Sequence, residues 1–280
     1  MTSGPPRIFD AHAQALHRAR AARMTGERFL LNEAADGIAA RLEPVNRAFR
    51  AGLAVDGRAA ELLQGLATWR IGLCDAGERL DAGQGGFDLA VSILSLHGMN
   101  DLPGALVQIR RALKPDGLFL AALFGGATLC ELREAFAAGE IETLGGITPR
   151  VTPFADVREL GALLQRAGFA LPVADVERTS VLYRDFATLA NDLRLMGETN
   201  ALAERQSLSR TTLRAALAHY AAEHSDADGR LRATFDIVYL TGWAPHESQQ
   251  KPLKPGSAKV RLAEALGTTE HSAGDKAKPR

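Results

Sequence analysis

The chain has 280 residues, of which 46% are hydrophobic and 24% charged, a composition that is ordinary for a soluble globular enzyme with one substantial core. Its 33 basic and 33 acidic residues balance, so no global field recruits nucleic acid or an anionic membrane surface. Two cysteines, Cys74 and Cys130, give neither a disulfide framework nor metal-ligand spacing, which indicates free thiols in a reducing compartment.

The start of the chain bears on where the protein works. The arginine-bearing stretch Ile8–Met24 is compatible with a transit peptide, but Asp10 and the alanine-rich helical pattern also fit an ordinary surface helix. No apolar run approaches the length of a membrane-spanning helix, and no apolar signal segment opens the chain. We therefore expect a cytoplasmic protein.

Patterns of apolar residues outline the first third of the chain. Helical spacing predicts helices at Phe9–Arg23, Arg28–Leu42 and Gly57–Leu66, whereas Val45–Leu53 and Trp69–Leu73 are short strand candidates. The first of these strands is a poor one because it carries several polar and basic residues.

The strongest pattern is a buried strand near the middle of the chain. Leu89–Leu94 is an apolar run with one serine, and it lies between a Gly-Gly-Phe-Asp turn and the helix-start signal Asn100–Pro103. Within that signal, Asp101 or the preceding asparagine is the predicted N-cap. Helical spacing follows over Leu102–Leu113, and a second turn and buried strand over Leu113–Phe124. This order indicates a right-handed βαβ crossover in a parallel sheet.

The later elements complete the predicted fold. They are a helix through Leu129, Leu132 and Phe136, a loop over Glu140–Val151, helices at Asp156–Ala167, Phe186–Met196 and Thr211–Ala222, and strands at Leu171–Tyr183 and Thr234–Trp243. Alternating elements indicate a doubly wound α/β sheet, closed at one edge by a hairpin of the two late strands. We divide the chain into an N-terminal helical segment (1–43), a main domain (44–245) with a helical insertion at about 185–225, and a polar tail (246–280).

Short motifs resemble a known superfamily. Phe87-Asp88-Leu89, Ser95-Leu96-His97, Asn100-Asp101-Leu102-Pro103 and Leu113-Lys114-Pro115-Asp116-Gly117 are similar to the fourth strand, helix and fifth strand of class I S-adenosylmethionine-dependent methyltransferases. Later motifs, Phe124-Gly125-Gly126, Glu131-Leu132-Arg133, Met196-Gly197-Glu198-Thr199-Asn200 and Gly242-Trp243, narrow the resemblance. They look like those of the mitochondrial complex I assembly factors known as arginine hydroxylases and their alphaproteobacterial relatives, near the malonyl-carrier-protein methyltransferases.

The resemblance implies a fold, a cofactor and a partner. The fold is a Rossmann-like class I methyltransferase sheet with N-terminal helices and a helical insertion before the last strand. The implied cofactor is S-adenosylmethionine, and the implied substrate is a protein, a subunit of respiratory complex I. Such a partner would hold a bacterial cytoplasmic protein at the periphery of the inner membrane.

The cofactor loop departs from the pattern of the family. Such loops need an acidic residue and glycines, because the backbone must approach the cofactor without a Cβ in the way. The corresponding stretch here is Ala48–Gly57, in which Gly52 is retained, the acidic position carries Arg50 and the next glycine position carries Ala54. A cation at residue 50 would meet the sulfonium of the cofactor or need a partner such as Asp88.

The second strand region is also shortened. Only 23 residues separate Leu63 from Phe87, too few for a second strand, its helix and a third strand. The acidic residue that would hold the ribose hydroxyls therefore has no clear counterpart. Asp56 and Asp75 are the remaining candidates, and Asp75 aligns with the end of the third strand. The alternative is that both are solvated turn residues.

Polar residues near the strand ends are candidates for chemistry. His97 follows the central strand, where open α/β sheets bind ligands, and it is either a general base or a packed histidine bonded to the next helix. Ser95 precedes it in the predicted cofactor cleft. The predicted substrate-cleft residues are Asn100, Gly125, Gly126, Glu198, Asn200 and His246.

Metal chemistry is not predicted. His219 and His224 lie five positions apart, off a common helix face, and the short His-x-Asp/Glu spacing of a two-histidine, one-carboxylate iron site is absent.

Three functions remain open. The first is a methyltransferase-family enzyme that acts on a protein substrate, either as a transferase or as a protein-arginine hydroxylase. The second is a non-catalytic assembly chaperone with the same fold that has lost cofactor binding. A small-molecule carboxyl methyltransferase is the third, and it fits the late motifs least well.

Overall fold

The strands of the described residues form one sheet. In a computed structural model that describes residues 7–72, 78–249, 260 and 262–269, the strands are β1 (Ala51–Val55), β2 (Thr68–Gly72), β3 (Phe87–Ile93), β4 (Leu113–Phe124), β5 (Ala170–Tyr183) and β6 (Leu231–Trp243). Their order is β2-β1-β3-β4-β6-β5. The first four run parallel, and β6 runs antiparallel to both of its neighbours. The predicted terminal hairpin at one edge is thereby confirmed.

Helices surround the sheet. They are α1 (Ala11–Ala21), α2 (Phe29–Leu42), α3 (Arg58–Leu62), α4 (Leu102–Ala112), α5 (Cys130–Leu144), α6 (Val157–Arg166), α7 (Phe186–Met196) and α8 (Arg210–His224). All belong to a unit of residues 1–246, and a second unit, residues 247–280, contains α9 (Leu262–Ala265). Among the described residues, no helix combines the length and apolar character that crossing a membrane would require.

The central strands are buried on both faces. Leu89, Val91 and Ile93 of β3 join an apolar cluster with residues of α2, α5, α7 and α8. Ala90 belongs to the opposite cluster, with Phe119 of β4 and residues of α4 and α6. This alternation follows from the two-residue period of a strand and explains the continuous apolar run in the sequence. The predicted α/β fold with its helical insertion, α7 and α8, is confirmed.

Local signals set the boundaries well in some places and poorly in others. Asp101 caps α4 by accepting a hydrogen bond from the backbone N–H of Gly104 at 2.8 Å, as predicted. The predicted start of the first strand at Val45 is wrong, because β1 begins at Ala51. The predicted loop from Glu140 is also wrong at its start, since α5 continues to Leu144.

Strand β2 lies at the edge of the sheet, beside β1. This strand pairs in parallel with β1 along its length, from Thr68 opposite Ala51 to Gly72 opposite Val55. It therefore occupies the second-strand position beside β1. Asp75 and Cys74 lie outside the described residues.

Helices α5 and α8 cross at very short range through Gly139. A Cβ added to Gly139 would lie 2.6 Å from the backbone nitrogen of Ala216 and 2.9 Å from its Cα. Backbone atoms cannot rotate away, so any side chain here must separate the helices.

We expect Gly139→Ala to lower the free energy of unfolding by about 2 kcal/mol, because overpacking outweighs the better helix propensity of alanine. The matched control is Gly161→Ala in α6, where the added Cβ would meet the Cβ of Ala174 at an ordinary 3.4 Å. Urea denaturation compares the two variants. Equal stability of both variants would contradict the close crossing.

Candidate functional site

A cavity lies where the direction of strand addition reverses. From β1 the chain adds β2 on one side, whereas β3 and β4 follow on the other. Open α/β sheets bind ligands outside the carboxyl ends of strands at such a point. The cavity has a volume of about 400 Å³, and its lining includes Val55, Asp56, Gly57, Gly72, Ser95 and Leu96.

Asp56 is the most unusual group in this cavity. It has a φ of +76°, and its Oδ1 accepts a hydrogen bond from the backbone N–H of Arg58 at 2.9 Å. Its Oδ2 is buried and has no hydrogen-bond partner among the described residues. Burial raises the pKa of the Asp56 carboxyl, although the charges of Arg58 and Arg18 act in the opposite direction. A buried acceptor without a donor suits a ligand that brings a hydroxyl or an amine.

Helix α1 covers the cavity from above the strand ends. Gln14 and Arg18 line it. The Gln14 amide donates to the carbonyl of Gly98 at 2.8 Å, and Arg18 donates to the carbonyl of Ser95 at 3.4 Å. Ser95 itself is buried, with its hydroxyl 2.7 Å from that of Ser92. The N-terminal helix is therefore part of the site.

Asn100 anchors the segment before α1. Its Oδ1 accepts the backbone N–H groups of Ile8 and Phe9, each at 2.8 Å, and its Nδ2 donates to the carbonyl of Phe9 at 3.2 Å. Its own backbone N–H donates to Glu78 at 2.7 Å. These contacts occupy the side-chain polar atoms of Asn100, which thereby holds the cover in place. Its role in the substrate cleft stays a prediction.

A second cavity, of about 150 Å³, lies beyond the end of β4. Its lining includes three aromatic and three polar or charged residues: Phe124, Phe154, Phe235, Arg150, Glu198 and Asn200. Gly125 and Gly126 follow Phe124 directly, and the backbone N–H of Gly125 donates to the carbonyl of Asp236 at 2.8 Å. The predicted cleft residues Glu198 and Asn200 thus share a cavity wall, although they come from the segment after α7.

Glu198 joins the two cavities through a charged network. Its Oε2 lies 3.0 Å from Nε2 of His97, and its Oε1 accepts two hydrogen bonds from the guanidinium of Arg58, each at 3.2 Å. Arg58 also donates to the carbonyls of Leu94 and, at 2.7 Å, Met196. Burial acts to raise the pKa of Glu198, but His97, Arg58 and Arg18 outweigh it and lower that pKa to about 2. The carboxylate is therefore ionised at neutral pH.

His97 is enclosed within this network. Its side chain is 6% exposed, and its ring centroid lies 5.1 Å from that of Phe124 and 5.5 Å from that of Phe154. It lines a small cavity of about 20 Å³. The alternative of a histidine bonded to the next helix is not what the structure shows, since Nε2 faces Glu198 and the buried Nδ1 has no hydrogen-bond partner in the described part of the chain.

The register of β1 corrects the predicted cofactor loop. The strand ends at Val55, so the loop at the cavity is Asp56 and Gly57. Arg50 precedes the strand with an exposed side chain, so the alternative in which its cation meets the cofactor is wrong. Its contact with Asp88 is through the backbone N–H, which donates to Oδ2 at 3.2 Å. Gly52 lies within the strand, where an added Cβ would meet the ring of Trp69 at 2.6 Å. Its missing side chain is therefore explained by packing of β2 against β1.

The predicted position of His246 in the substrate cleft is also corrected. Strand β6 runs antiparallel to β4, with Trp243 opposite Leu118 and Ile237 opposite Phe124. The C-terminal end of β6 therefore lies beside the start of β4, at the end of the strands opposite the cavities. His246 is exposed at that edge.

Two arginines of the site escape prediction from the sequence. Arg18 is one of two arginines in α1, and nothing local distinguishes it from Arg20. Arg58 directly follows the Asp56-Gly57 turn, and a correct register for β1 would have singled it out. Its partner Glu198 is 140 positions away, a separation that no local pattern spans.

The structure also corrects the argument against metal ligands. Nitrogen atoms of His219 and His224 and a carboxylate oxygen of Glu134 lie within 4.8 Å of one another. The five-residue spacing therefore does not keep the two imidazoles apart.

The sequence is similar to several known proteins. A family described as "Methyltransferase domain" matches residues 50–121. The human "Arginine-hydroxylase NDUFAF5, mitochondrial" is 47% identical over 179 residues, 64% of this chain and 52% of that protein. The Dictyostelium discoideum protein of the same name is 46% identical over 184 residues, 65% of this chain and 42% of that protein.

A relative with a different activity also matches. The malonyl-(acyl-carrier protein) O-methyltransferase of Laribacter hongkongensis is 36% identical over 186 residues, 66% of this chain and 60% of that protein. The chain spans about half the length of the arginine hydroxylases that it matches. It is similar to the arginine hydroxylases over these matched residues, and to the family described as "Methyltransferase domain" over residues 50–121.

Proposed function

We propose that this protein binds S-adenosylmethionine in the cavity between β1 and β3. The observation that supports this best is the buried Oδ2 of Asp56, which has no hydrogen-bond donor among the described residues and lies where the sheet reverses its direction. The cavity volume of about 400 Å³ lies in the range of cofactor-sized sites. The similarity of residues 50–121 to a methyltransferase domain makes S-adenosylmethionine the natural occupant.

The residues of the cavity fit this cofactor. Asp56 would accept from a ribose hydroxyl, and an added Cβ at Gly57 would meet no atom within 4 Å, so the backbone leaves room for a close approach. Ser95 and Arg18 complete the walls, and the predicted contribution of Asp75 remains a proposal. When bound, the cofactor would supply a methyl group on a positively charged sulfur. The helical segment 1–43 then serves as the cover of a site in the main domain, 44–245.

We further propose that the substrate is a protein side chain that enters the second cavity. Its volume of about 150 Å³ is below the roughly 300–1,000 Å³ typical of small-molecule sites, but it suits one side chain. Aromatic rings and the carboxylate of Glu198 line this cavity. Because the relatives are named arginine hydroxylases, we propose an arginine-bearing subunit of respiratory complex I as the partner. In this proposal the protein is cytoplasmic and meets that subunit at the inner membrane.

His97 acts through Glu198 in this proposal. The imidazole holds the carboxylate in place at 3.0 Å and reaches no more than the small cavity of about 20 Å³. We therefore assign it as a positioning residue, and direct proton abstraction by His97 remains a prediction from the sequence.

The alternative of a chaperone without a cofactor has lost part of its support. It depended on Arg50 and Ala54 as replacements in the cofactor loop, and both precede the end of β1. The chaperone alternative is still favoured by the loop after Asp56, which carries a single glycine, whereas the cofactor loops of the family that the sequence resembles carry more glycines.

Isothermal titration calorimetry with S-adenosylmethionine and S-adenosylhomocysteine separates these two functions. We expect micromolar binding of at least one of them. The absence of heat at millimolar ligand, from protein shown to be folded, would overturn the cofactor proposal and leave the assembly chaperone as the function.

Asp56→Asn should weaken that binding roughly 10- to 100-fold, because the amide nitrogen, a donor, would take the place of the Oδ2 acceptor. Asparagine keeps the Oδ1 acceptor for the backbone N–H of Arg58. Since the native pKa of Asp56 is raised, its ionised form penalises the folded state at neutral pH, so the ligand-free variant should melt higher. This gain should vanish as the pH falls below the unfolded value of 3.8, where both states are protonated. The control is the exposed Asp81→Asn, and an equal loss of affinity there would contradict the assignment.

A further inference from the structure

Three side chains with metal-binding atoms meet between α5 and α8. Glu134 projects from α5, and His219 and His224 project from α8. The Nε2 atom of His224 lies 3.3 Å from Oε2 of Glu134, and Nε2 of His219 lies 4.0 Å from Oε1. Ligand atoms that share a metal at about 2.0–2.2 Å lie at separations of this order from one another.

The two imidazole nitrogens are buried without a hydrogen bond. Neither Nε2 has a hydrogen-bond partner within the described residues, although both lie near the carboxylate. A buried polar atom left unsatisfied costs about 1–3 kcal/mol. Two such atoms side by side, both turned to one carboxylate, are accounted for by a cation that coordinates all three groups.

Helix packing explains why the imidazoles converge. Positions five apart on a helix differ by about 140° around its axis, so His219 and His224 leave α8 in different directions. The neighbouring helix lies very close, since Gly139 of α5 packs on Ala216. Both imidazoles can therefore reach Glu134 in the crevice between the helices.

We propose that Glu134, His219 and His224 form a site for a divalent first-row transition metal ion of the Zn²⁺ type. Imidazole nitrogens and one carboxylate suit Zn²⁺, Fe²⁺, Ni²⁺ or Cu²⁺, whereas Mg²⁺ and Ca²⁺ prefer oxygen ligands throughout. Three protein ligands leave at least one coordination position open. The Glu134 side chain is 62% exposed, which gives the ion a route from solvent. This site is separate from the proposed cofactor cavity and does not depend on it.

Calorimetry with Zn²⁺ alone tests the proposal on the full chain, prepared without a histidine tag. We expect binding of one equivalent, no response to Mg²⁺, and a rise in melting temperature with Zn²⁺. His219→Gln and His224→Gln should each weaken the affinity at least tenfold, and Glu134→Gln should weaken it as well. The matched control is the exposed His12→Gln, which should bind like the wild type.

Co²⁺ provides a second measurement that does not depend on heat. At a site of low coordination number, bound Co²⁺ should give visible d–d absorption. The His219→Gln/His224→Gln double variant should lose that absorption while its circular dichroism is unchanged. The proposal is overturned if folded wild-type protein binds no Zn²⁺ at millimolar concentration. It is equally overturned if the histidine variants bind Zn²⁺ as tightly as His12→Gln does.

Discussion

Glu198→Ala is expected to lower the free energy of unfolding by about 3 kcal/mol and the melting temperature by roughly 6–12 °C. The side chains of Arg58 and Glu198 are only 13% and 15% exposed, so removal of the carboxylate leaves a largely buried guanidinium without its counter-charge. Arg58 keeps its bonds to the carbonyls of Leu94 and Met196, which places the loss at the low end for buried ion pairs.

The dependence of this loss on pH distinguishes the charge of Glu198 from its packing. Its pKa is lowered from 4.5 to about 2, so its stabilisation is fully present above pH 4.5 and is lost as the pH falls towards 2. Urea titrations at pH 7 and pH 3 should therefore show a smaller difference between wild type and variant at the lower pH. The exposed Glu204→Ala serves as the control. A pH-independent difference would mean that packing alone is responsible.

The same variant tests whether the two cavities are coupled. Glu198 does not line the β1–β3 cavity. Arg58 links it to that cavity, because the Arg58 side chain contacts Glu198 and the Arg58 backbone N–H donates to Asp56. We expect Glu198→Ala to weaken S-adenosylhomocysteine binding, and His97→Gln to weaken it less. Unchanged affinity in Glu198→Ala would show that the network serves the second cavity alone.

Local chemistry explains what the sequence predicts correctly. The β3-α4-β4 unit follows from two buried apolar runs and an aspartate cap, each of which is set within a few residues. Asp56 is among the predicted cofactor residues, but the register of β1 was misplaced because the strand is only five residues long and follows an irregular segment. A family pattern aligned to the wrong register then assigned its roles to Arg50 and Gly52.

Contacts between distant segments explain what the sequence misses. Arg58 pairs with Glu198 across 140 positions, and Asn100 holds Ile8 from 92 positions away. The cluster of Glu134, His219 and His224 depends on how closely two helices pack, which no spacing within one helix reveals. Predicted and missed residues thus differ in the range of the interactions that place them.

Glu140→Ala is expected to have the largest effect on stability, a loss of about 4 kcal/mol. The Glu140 side chain is fully buried and that of Arg150 is 8% exposed, and the carboxylate accepts a hydrogen bond from Nε of Arg150 at 2.7 Å. It also accepts the backbone N–H and the hydroxyl of Thr148, each at 2.5 Å. Burial acts to raise the pKa of Glu140, but Thr148 and Arg150 outweigh it and lower that pKa.

Glu140 also supports the second cavity from behind. Arg150 lines that cavity, and its carbonyl accepts a hydrogen bond from the Asn200 amide at 3.0 Å. Its guanidinium donates to the carbonyls of Gln206 and Ser207 at 2.5 and 3.3 Å. Without the carboxylate, the buried guanidinium would leave this position, and the segments that carry Asn200 and Arg150 would lose their common support.

Thermal and urea denaturation of Glu140→Ala, with Glu142→Ala as the control, measure this effect. Glu142 lies two positions further along α5 and is exposed, so its variant should stay within about 0.5 kcal/mol of wild type. Since the native pKa of Glu140 is lowered, its stabilisation is present above pH 4.5 and falls away as the pH drops through the native pKa. Equal losses in the two variants would contradict the buried ion pair.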